Sequence, residues 1–237
     1  MSTGTLYIVS TPIGNLKDIT FRAVEILKSV DLIAAEDTRH TRILTAHYEI
    51  RVPLTSYFEH NKMAKGDYLI SMLQEGKNVA LVSDAGTPGV SDPGAHIIKL
   101  AIENGIKLDH IPGPCAAIAG LVLSGMPTDK FVFEGFLPNK SGARKNRLKK
   151  FLGEERTVIF YESPHRIVKT LLDMREVFGD IRIACLRELT KKFEETRRQN
   201  VSELIEHFTK TKPLGEFVIC IRLTPSPRSG EGRGEGT

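Results

Sequence analysis

The chain has 237 residues, 41% hydrophobic and 26% charged, with 33 Lys and Arg against 29 Asp and Glu for a net charge of +4. That length suits one large α/β domain or two compact ones, and no apolar run nears the roughly 20 residues that a bilayer-spanning helix needs. Cys115, Cys185 and Cys220 are an odd number without paired Cys or His at ligand spacing, which argues against a disulfide framework and a zinc site, so reduced thiols and no metal are expected.

The first residues lack a basic n-region and enter an apolar strand at once, so no signal peptide and a cytoplasmic location are expected. Apolar strands are predicted at Leu6 to Val9, Leu32 to Ala35, Val79 to Ser83 and Leu108 to Ile111, with helical patterns at Ile19 to Ser29, Asn61 to Gln74 and Ala95 to Glu103. The strands are continuously apolar, as in a parallel sheet with helices on both faces. Gly/Pro loops begin where three of them end: Ser10 to Asn15, Ser83 to Gly94, and Ile111 to Ala116. Gly and Pro also serve as plain turn punctuation. Three such loops at strand ends favour a shared cofactor cleft, because the crevice beyond the carboxyl ends of an open α/β sheet holds ligands and glycine lets the backbone approach them.

A small-residue helix, Cys115 to Ser124, follows, and the domain junction is placed there: an N-terminal α/β domain over 4–114 and a C-terminal one over 115–224. The second half is predicted to hold strands at Phe131 to Phe136, Val158 to Tyr161, Ile183 to Leu186 and Phe217 to Leu223. Its helices fall near Ala143 to Leu152, His165 to Val177 and Ser202 to Phe208. Asn200 and Glu203 have capping-box spacing before the last helix. Residues 225–237 are of low complexity and expected as a disordered tail.

Lys140, Arg144, Lys145, Arg147, Lys149 and Lys150 crowd a stretch without acidic residues. It suits phosphate, or it is a solvated helix face with Leu148, Phe151 and Leu152 turned inward. A Rossmann Gly-x-Gly-x-x-Gly, a Walker phosphate loop and a His-Glu-x-x-His motif are absent. Gly89-Val90-Ser91-Asp92-Pro93 misses the nucleophile elbow because Pro93 stands where Gly is needed.

Charged segments follow four predicted strands: Ala35 to Arg39, Phe133 to Pro138, Phe160 to Arg166, and Leu186 to Lys191. With the three Gly/Pro loops, this set resembles the tetrapyrrole methylase superfamily, and within it the branch acting on small-subunit ribosomal RNA, from about Leu6 to about Leu223. The resemblance implies two α/β domains of the class III methyltransferase kind with S-adenosyl-L-methionine in the cleft between them. It also implies a homodimer, and 2'-O-methylation of the ribose of a cytidine in the decoding region of 16S rRNA. Carried over by position, cofactor contacts fall at Pro12, Asp84, Ala85, Gly86, Thr87, Val90, Cys115 and Ala116, with Tyr161 and Gly215 from the second domain. This sequence departs from the pattern at Ser10, where Ala is common, at Cys115, where Ser is common, and at Gln199, where Gly is frequent. The last bears on the turn expected between Glu195 and Ser202.

Methyl transfer to a ribose hydroxyl calls for a proton acceptor, for which Glu36, Asp37, Glu162, His165 and Glu188 are the candidates. Arg39 could order the loop that carries Asp37, or simply form a local ion pair. RNA contacts are expected at Lys140, Arg144, Lys145, Arg147, Arg166, Arg187 and Lys191, the last two alternatively part of a solvated ion cluster. Since fold does not choose substrate, a methyltransferase acting on a corrin precursor and a ribosome-binding factor without catalysis stand beside this reading.

Overall fold

A computed structural model describes residues 3–223; the tail expected over 225–237, and residue 224 at the end of the expected second domain, lie outside the described residues. The chain divides into two compact units, one ending at Ala116 and the other starting at Ala117.

The first unit runs β1 (Thr5–Val9), α1 (Phe21–Ser29), β2 (Leu32–Ala35), α2 (Thr38–His47), β3 (Leu54–Ser56), α3 (Lys62–Gln74), β4 (Val79–Val82), α4 (Gly94–Glu103) and β5 (Lys107–Ile111). Its sheet is parallel in the order β3-β2-β4-β1-β5. From β1 the chain moves one way to β2 and β3, then back through β4 to β5. Right-handed crossovers in opposite directions put their helices on opposite faces. Leu27 of α1 and Leu44 of α2 accordingly pack with Ile33, Ala35 and Val82. Leu69 of α3 and Ile97 of α4 pack with Leu32, Ala34 and Leu81 on the other side. Successive residues of the central strands thus enter different cores, which is why β2 (Leu-Ile-Ala-Ala) and β4 (Val-Ala-Leu-Val) are apolar throughout, whereas the edge strands β3 (Leu-Thr-Ser) and β5 (Lys-Leu-Asp-His-Ile) are not.

Helix α1 starts two residues later than predicted, because Leu16–Asp18 forms a separate 3-10 turn and Thr20 caps α1 by accepting from the Ala23 amide at 3.1 Å. Neither α2 nor β3 is visible in the hydrophobic pattern.

The second unit contains α5 (Ala116–Ser124), whose first residue closes the preceding unit, then β6 (Phe131–Phe136), α6 (Ser141–Lys149), β7 (Thr157–Glu162), α7 (Ile167–Phe178), β8 (Arg182–Arg187), β9 (Glu195–Asn200), α8 (Val201–Lys210) and β10 (Phe217–Ile221). The order is β6-β7-β10-β8-β9, with β6 and β7 parallel and the remaining pairs antiparallel. Phe160, Cys185 and Ile219 face the core formed with Leu148, Leu171, Met174 and Leu204. On the opposite face α5 comes so close that a Cβ on Gly120 would stand 2.5 Å from Val218 Cγ1.

Two expectations change here. The turn expected between Glu195 and Ser202 is a strand, β9, in which Gln199 pairs with Ile183 in a regular ladder. Leu152, expected to face inward, is 55% exposed because α6 ends at Lys149. The Asn200 and Glu203 capping box is formed.

Candidate active site

In the first sheet β1 and β4 are neighbours, yet the chain leaves β1 toward β2 and leaves β4 toward β5, on opposite sides. Their carboxyl ends are the topological switch point, where open α/β sheets bind ligands. The loops that follow are the first two Gly/Pro loops, and they are tied together. Thr11 and Gly86 exchange both backbone hydrogen bonds, at 2.9 and 3.1 Å. The Thr11 hydroxyl donates to the Ser83 carbonyl at 3.1 Å, and the Ser10 and Thr87 hydroxyls meet at 3.0 Å. The loop after β5 joins them: Ser10 N donates to Ile111 O at 3.1 Å, and a Cβ on Gly113 would stand 2.9 Å from Ser10 Cβ.

The second loop has three left-handed residues, Gly86 at φ +82°, Gly89 at +90° and Ser91 at +63°. Glycine accepts this conformation at no steric cost, whereas Ser91 is strained in the way that functional loops commonly are. Asp92 braces the loop, its Oδ1 accepting from the amides of Gly89 at 2.7 Å and Gly94 at 2.8 Å. Burial raises its carboxyl above the usual range, against the lowering effect of those two donors. Asp92 stands outside the sequence-based candidates; an Asp directly before Pro93-Gly94 at a helix start is the signal that points to it.

At the end of β2, the Asp37 amide donates to Asp84 Oδ1 at 2.9 Å, joining this strand end to the β4 loop. Half-buried Glu36 is raised above the usual carboxylate range, first by burial and then by the negative charge of Asp84. Asp37 goes the other way: the Arg39 side chain, at 2.6 Å, and the Arg39 amide hold it at about 2. Of the expected cofactor residues here, Pro12 and Gly86 are buried, Asp84, Thr87, Cys115 and Ala116 half-buried, and Ala85 and Val90 exposed.

In the second unit the Tyr161 hydroxyl accepts from the Ala117 amide at 3.0 Å, serving one of the unpaired N–H groups in the first turn of α5. Gly215 has φ +77°, and a Cβ there would fall within 2.3 Å of three Glu188 side-chain atoms. Glu188 itself is left-handed at φ +52° and pairs with Lys191 at 2.9 Å. His165 is exposed.

Glu162 and Arg144 are corrections. Glu162 has a fully buried side chain that accepts from Ser163 N, Arg166 Nε, Arg166 Nη2 and the Thr170 hydroxyl, at 2.6 to 3.0 Å. Those four bonds occupy its acceptor sites, which leaves none for a substrate proton. Arg144, expected on RNA, is 2% exposed and lies 2.6 Å from Asp173. It cannot reach a phosphate.

The remaining expected RNA contacts are mostly engaged with acids: Lys145 with Glu176 at 2.6 Å, Arg147 with Glu134, Arg166 with Glu162 at 2.7 Å, Arg187 with Glu195 at 2.5 Å, and Lys191 with Glu188. Lys140 is exposed, as are Lys149 and Lys150, and none of the three is in an ion pair among the described residues. One part of the basic stretch is thus consumed in ion pairs within the unit, which neither reading expected, and three of its lysines face solvent.

A family profile described as Tetrapyrrole (Corrin/Porphyrin) Methylases matches residues 5–205. The chain is 48% identical over 237 residues to ribosomal RNA small subunit methyltransferase I of Pseudomonas aeruginosa, covering 99% of this chain and 84% of that protein. The proteins of the same name from Escherichia coli O157:H7 and Thermotoga maritima are 52% and 47% identical, covering 93% and 92% of this chain and 78% and 98% of theirs. Among solved structures, a diphthine synthase superposes with a TM-score of 0.75 at 16% identity, covering 93% of this chain and 91% of its own. A cobalt precorrin-4 methyltransferase does so with 0.68 at 16% identity, covering 91% and 94%. At such identities the structures share the fold alone.

Proposed function

Because this chain belongs to the tetrapyrrole methylase family and matches ribosomal RNA small subunit methyltransferase I over more than nine-tenths of its length, we propose that it methylates small-subunit ribosomal RNA with S-adenosyl-L-methionine as donor. The acceptor is the ribose 2'-hydroxyl of a cytidine in the decoding region, and the working form is a cytoplasmic homodimer, as the sequence resemblance implies. The observation that carries the proposal is the tied trio of loops at the switch point of the first sheet. Three exposed lysines on the second unit, Lys140, Lys149 and Lys150, suit the phosphates of an RNA substrate.

The donor set fits such a cofactor. Main-chain groups at Pro12, Asp84 to Thr87, Cys115 and Ala116 suit the polar edges of an adenine and an amino acid, and Asp84 supplies negative charge for a cation. When bound, S-adenosyl-L-methionine supplies an electrophilic methyl on a sulfonium. The chain's own task is mainly orientation, since alignment is worth about 7–11 kcal/mol of a barrier against about 3–5 for a general base. Glu36 takes the proton: Glu162 is saturated, Asp37 is committed to Arg39 and Glu188 to Lys191, and of Glu36 and His165, which are left, Glu36 is the one that feels the charge of Asp84 in the tied loops.

Gly86→Val forces a β-branched residue into a left-handed position, so donor affinity should fall about 10- to 100-fold by isothermal titration. Unchanged affinity would take the loop out of the site. Replacing Lys140, Lys149 and Lys150 by Ala should lower the slope of log K against log salt for subunit binding by roughly 0.7–0.9 for each phosphate that a lysine had neutralised; an undiminished slope means that these lysines meet no phosphate. The function itself is tested by offering labelled donor with small subunits that lack the modification and an excess of a corrin precursor. Label in RNA supports the proposal, and label in the tetrapyrrole or in neither refutes it.

A further inference from the structure

We propose that Phe136 is a stacking platform for an unpaired base of the RNA substrate. The inference rests on the reading above that the substrate is RNA. Phe136 stands 54% exposed at the carboxyl end of β6, and the local backbone is built to aim it. The β6–β7 register shifts between Phe133 and Gly135, with Gly135 at φ +73°. In a regular strand, residues three apart point to opposite faces; one extra residue puts them on the same face. Phe133 and Phe136 accordingly both meet the Tyr161 ring edge to face, at centroid distances of 5.0 and 5.6 Å. Tyr161 is itself held at its far end, where its hydroxyl accepts from the Ala117 amide.

The chain just beyond Phe136 is clamped as firmly. Arg166 Nη2 donates to the Leu137 carbonyl at 3.1 Å, while Arg144 Nη1 donates to the carbonyls of Pro138 at 3.3 Å and Asn139 at 3.1 Å. These arginines are anchored in turn by Glu162 and Asp173. Two ion pairs thus fix a short loop whose visible product is one outward aromatic ring. A rigid, exposed aromatic is a platform on which every base can stack, since each has a π-face, and single-stranded RNA is bound in this way. Charge selects the occupant. From Leu137 to Lys150 there are six Lys and Arg and no acid, and Lys140, Lys149 and Lys150 face solvent, which suits the phosphates on either side of a stacked base.

The test compares Phe136→Leu with Phe136→Trp, both at an exposed position. Phe136→Leu keeps apolar bulk without a π-face, and its kcat/KM on unmodified small subunits should fall roughly 5- to 150-fold, with donor affinity unchanged. Phe136→Trp should keep most of the activity. The chain has no tryptophan, so that variant also carries a single reporter, whose emission should be quenched by small-subunit rRNA at concentrations that saturate a filter-binding curve. Wild-type kcat/KM in Phe136→Leu, or unaltered emission at saturation, overturns the platform. Wild-type protein assayed alongside separates the two layers: no transfer to RNA by it sinks the proposed function, whereas normal transfer with an unaffected Phe136→Leu sinks the platform alone.

Discussion

Glu36→Gln is expected to slow methyl transfer about 10²- to 10⁴-fold, the usual worth of a positioned general base, with donor affinity changing far less. The side chain follows directly on β2, next to the β4 loop that carries Asp84 and Asp92. Burial and the charge of Asp84 both disfavour its ionised form, so its carboxyl lies above the usual carboxylate range. A base raised in this way holds a proton more strongly than an ordinary glutamate. The sign follows: Glu36 is protonated and idle below its pKa, so the rate climbs as pH rises through that value and levels off once the carboxylate is formed. The variant should lose this acidic limb together with the rate. Single-turnover rates across pH are the measurement, and a Glu36→Gln enzyme with both the rate and the limb intact would remove Glu36 from the chemistry.

Asp173→Ala is expected to cost the protein about 3–5 kcal/mol in urea denaturation, because it strands the buried Arg144 guanidinium without its counter-charge. Ser141 would lose an acceptor at 2.9 Å as well. Replacing both partners, as Arg144→Met with Asp173→Leu, should return most of that stability, since a packed apolar pair of similar volume carries no desolvation cost. The double variant separates structure from RNA contact. It should retain the salt slope of subunit binding, because Arg144 holds the 138–139 carbonyls rather than a phosphate. Asp173→Ala within about 1 kcal/mol of wild type, the worth of an exposed pair, would show that the pair is not buried as described.

The centre of the parallel sheet is plain in the sequence because β2 and β4 feed two cores and are apolar at every position, and Leu32–Ala35, like Phe131–Phe136 in the second sheet, falls where the pattern puts it. Helix α2 escaped notice because only Thr41, Leu44 and Thr45 are buried on it. Strand β9, Glu-Thr-Arg-Arg-Gln-Asn, lies at a sheet edge and has no apolar alternation to find. The loops of the candidate site were visible as glycine and proline after strands, whereas the Thr11–Gly86 bridge that ties them joins residues 75 positions apart and leaves no periodic trace. Charge misled in one respect. A run of six cations looks alike in sequence whether its members face solvent or reach inward, and only the packing of α6 on α7 assigns Arg144 to Asp173 and Lys145 to Glu176. The same blindness covers Glu162, whose partners Arg166 and Thr170 lie just before α7 and within it.

Digestion of methylated small-subunit RNA to nucleosides, with the label located by mass spectrometry, tests most directly whether the tied loops present a methyl group to a sugar oxygen. The expected product is a single cytidine methylated on its ribose, formed by the wild-type protein and formed more slowly by Gly86→Val at donor concentrations below that variant's weakened Kd. A methyl group on a base atom, or RNA left unlabelled under conditions where the donor binds, would contradict it.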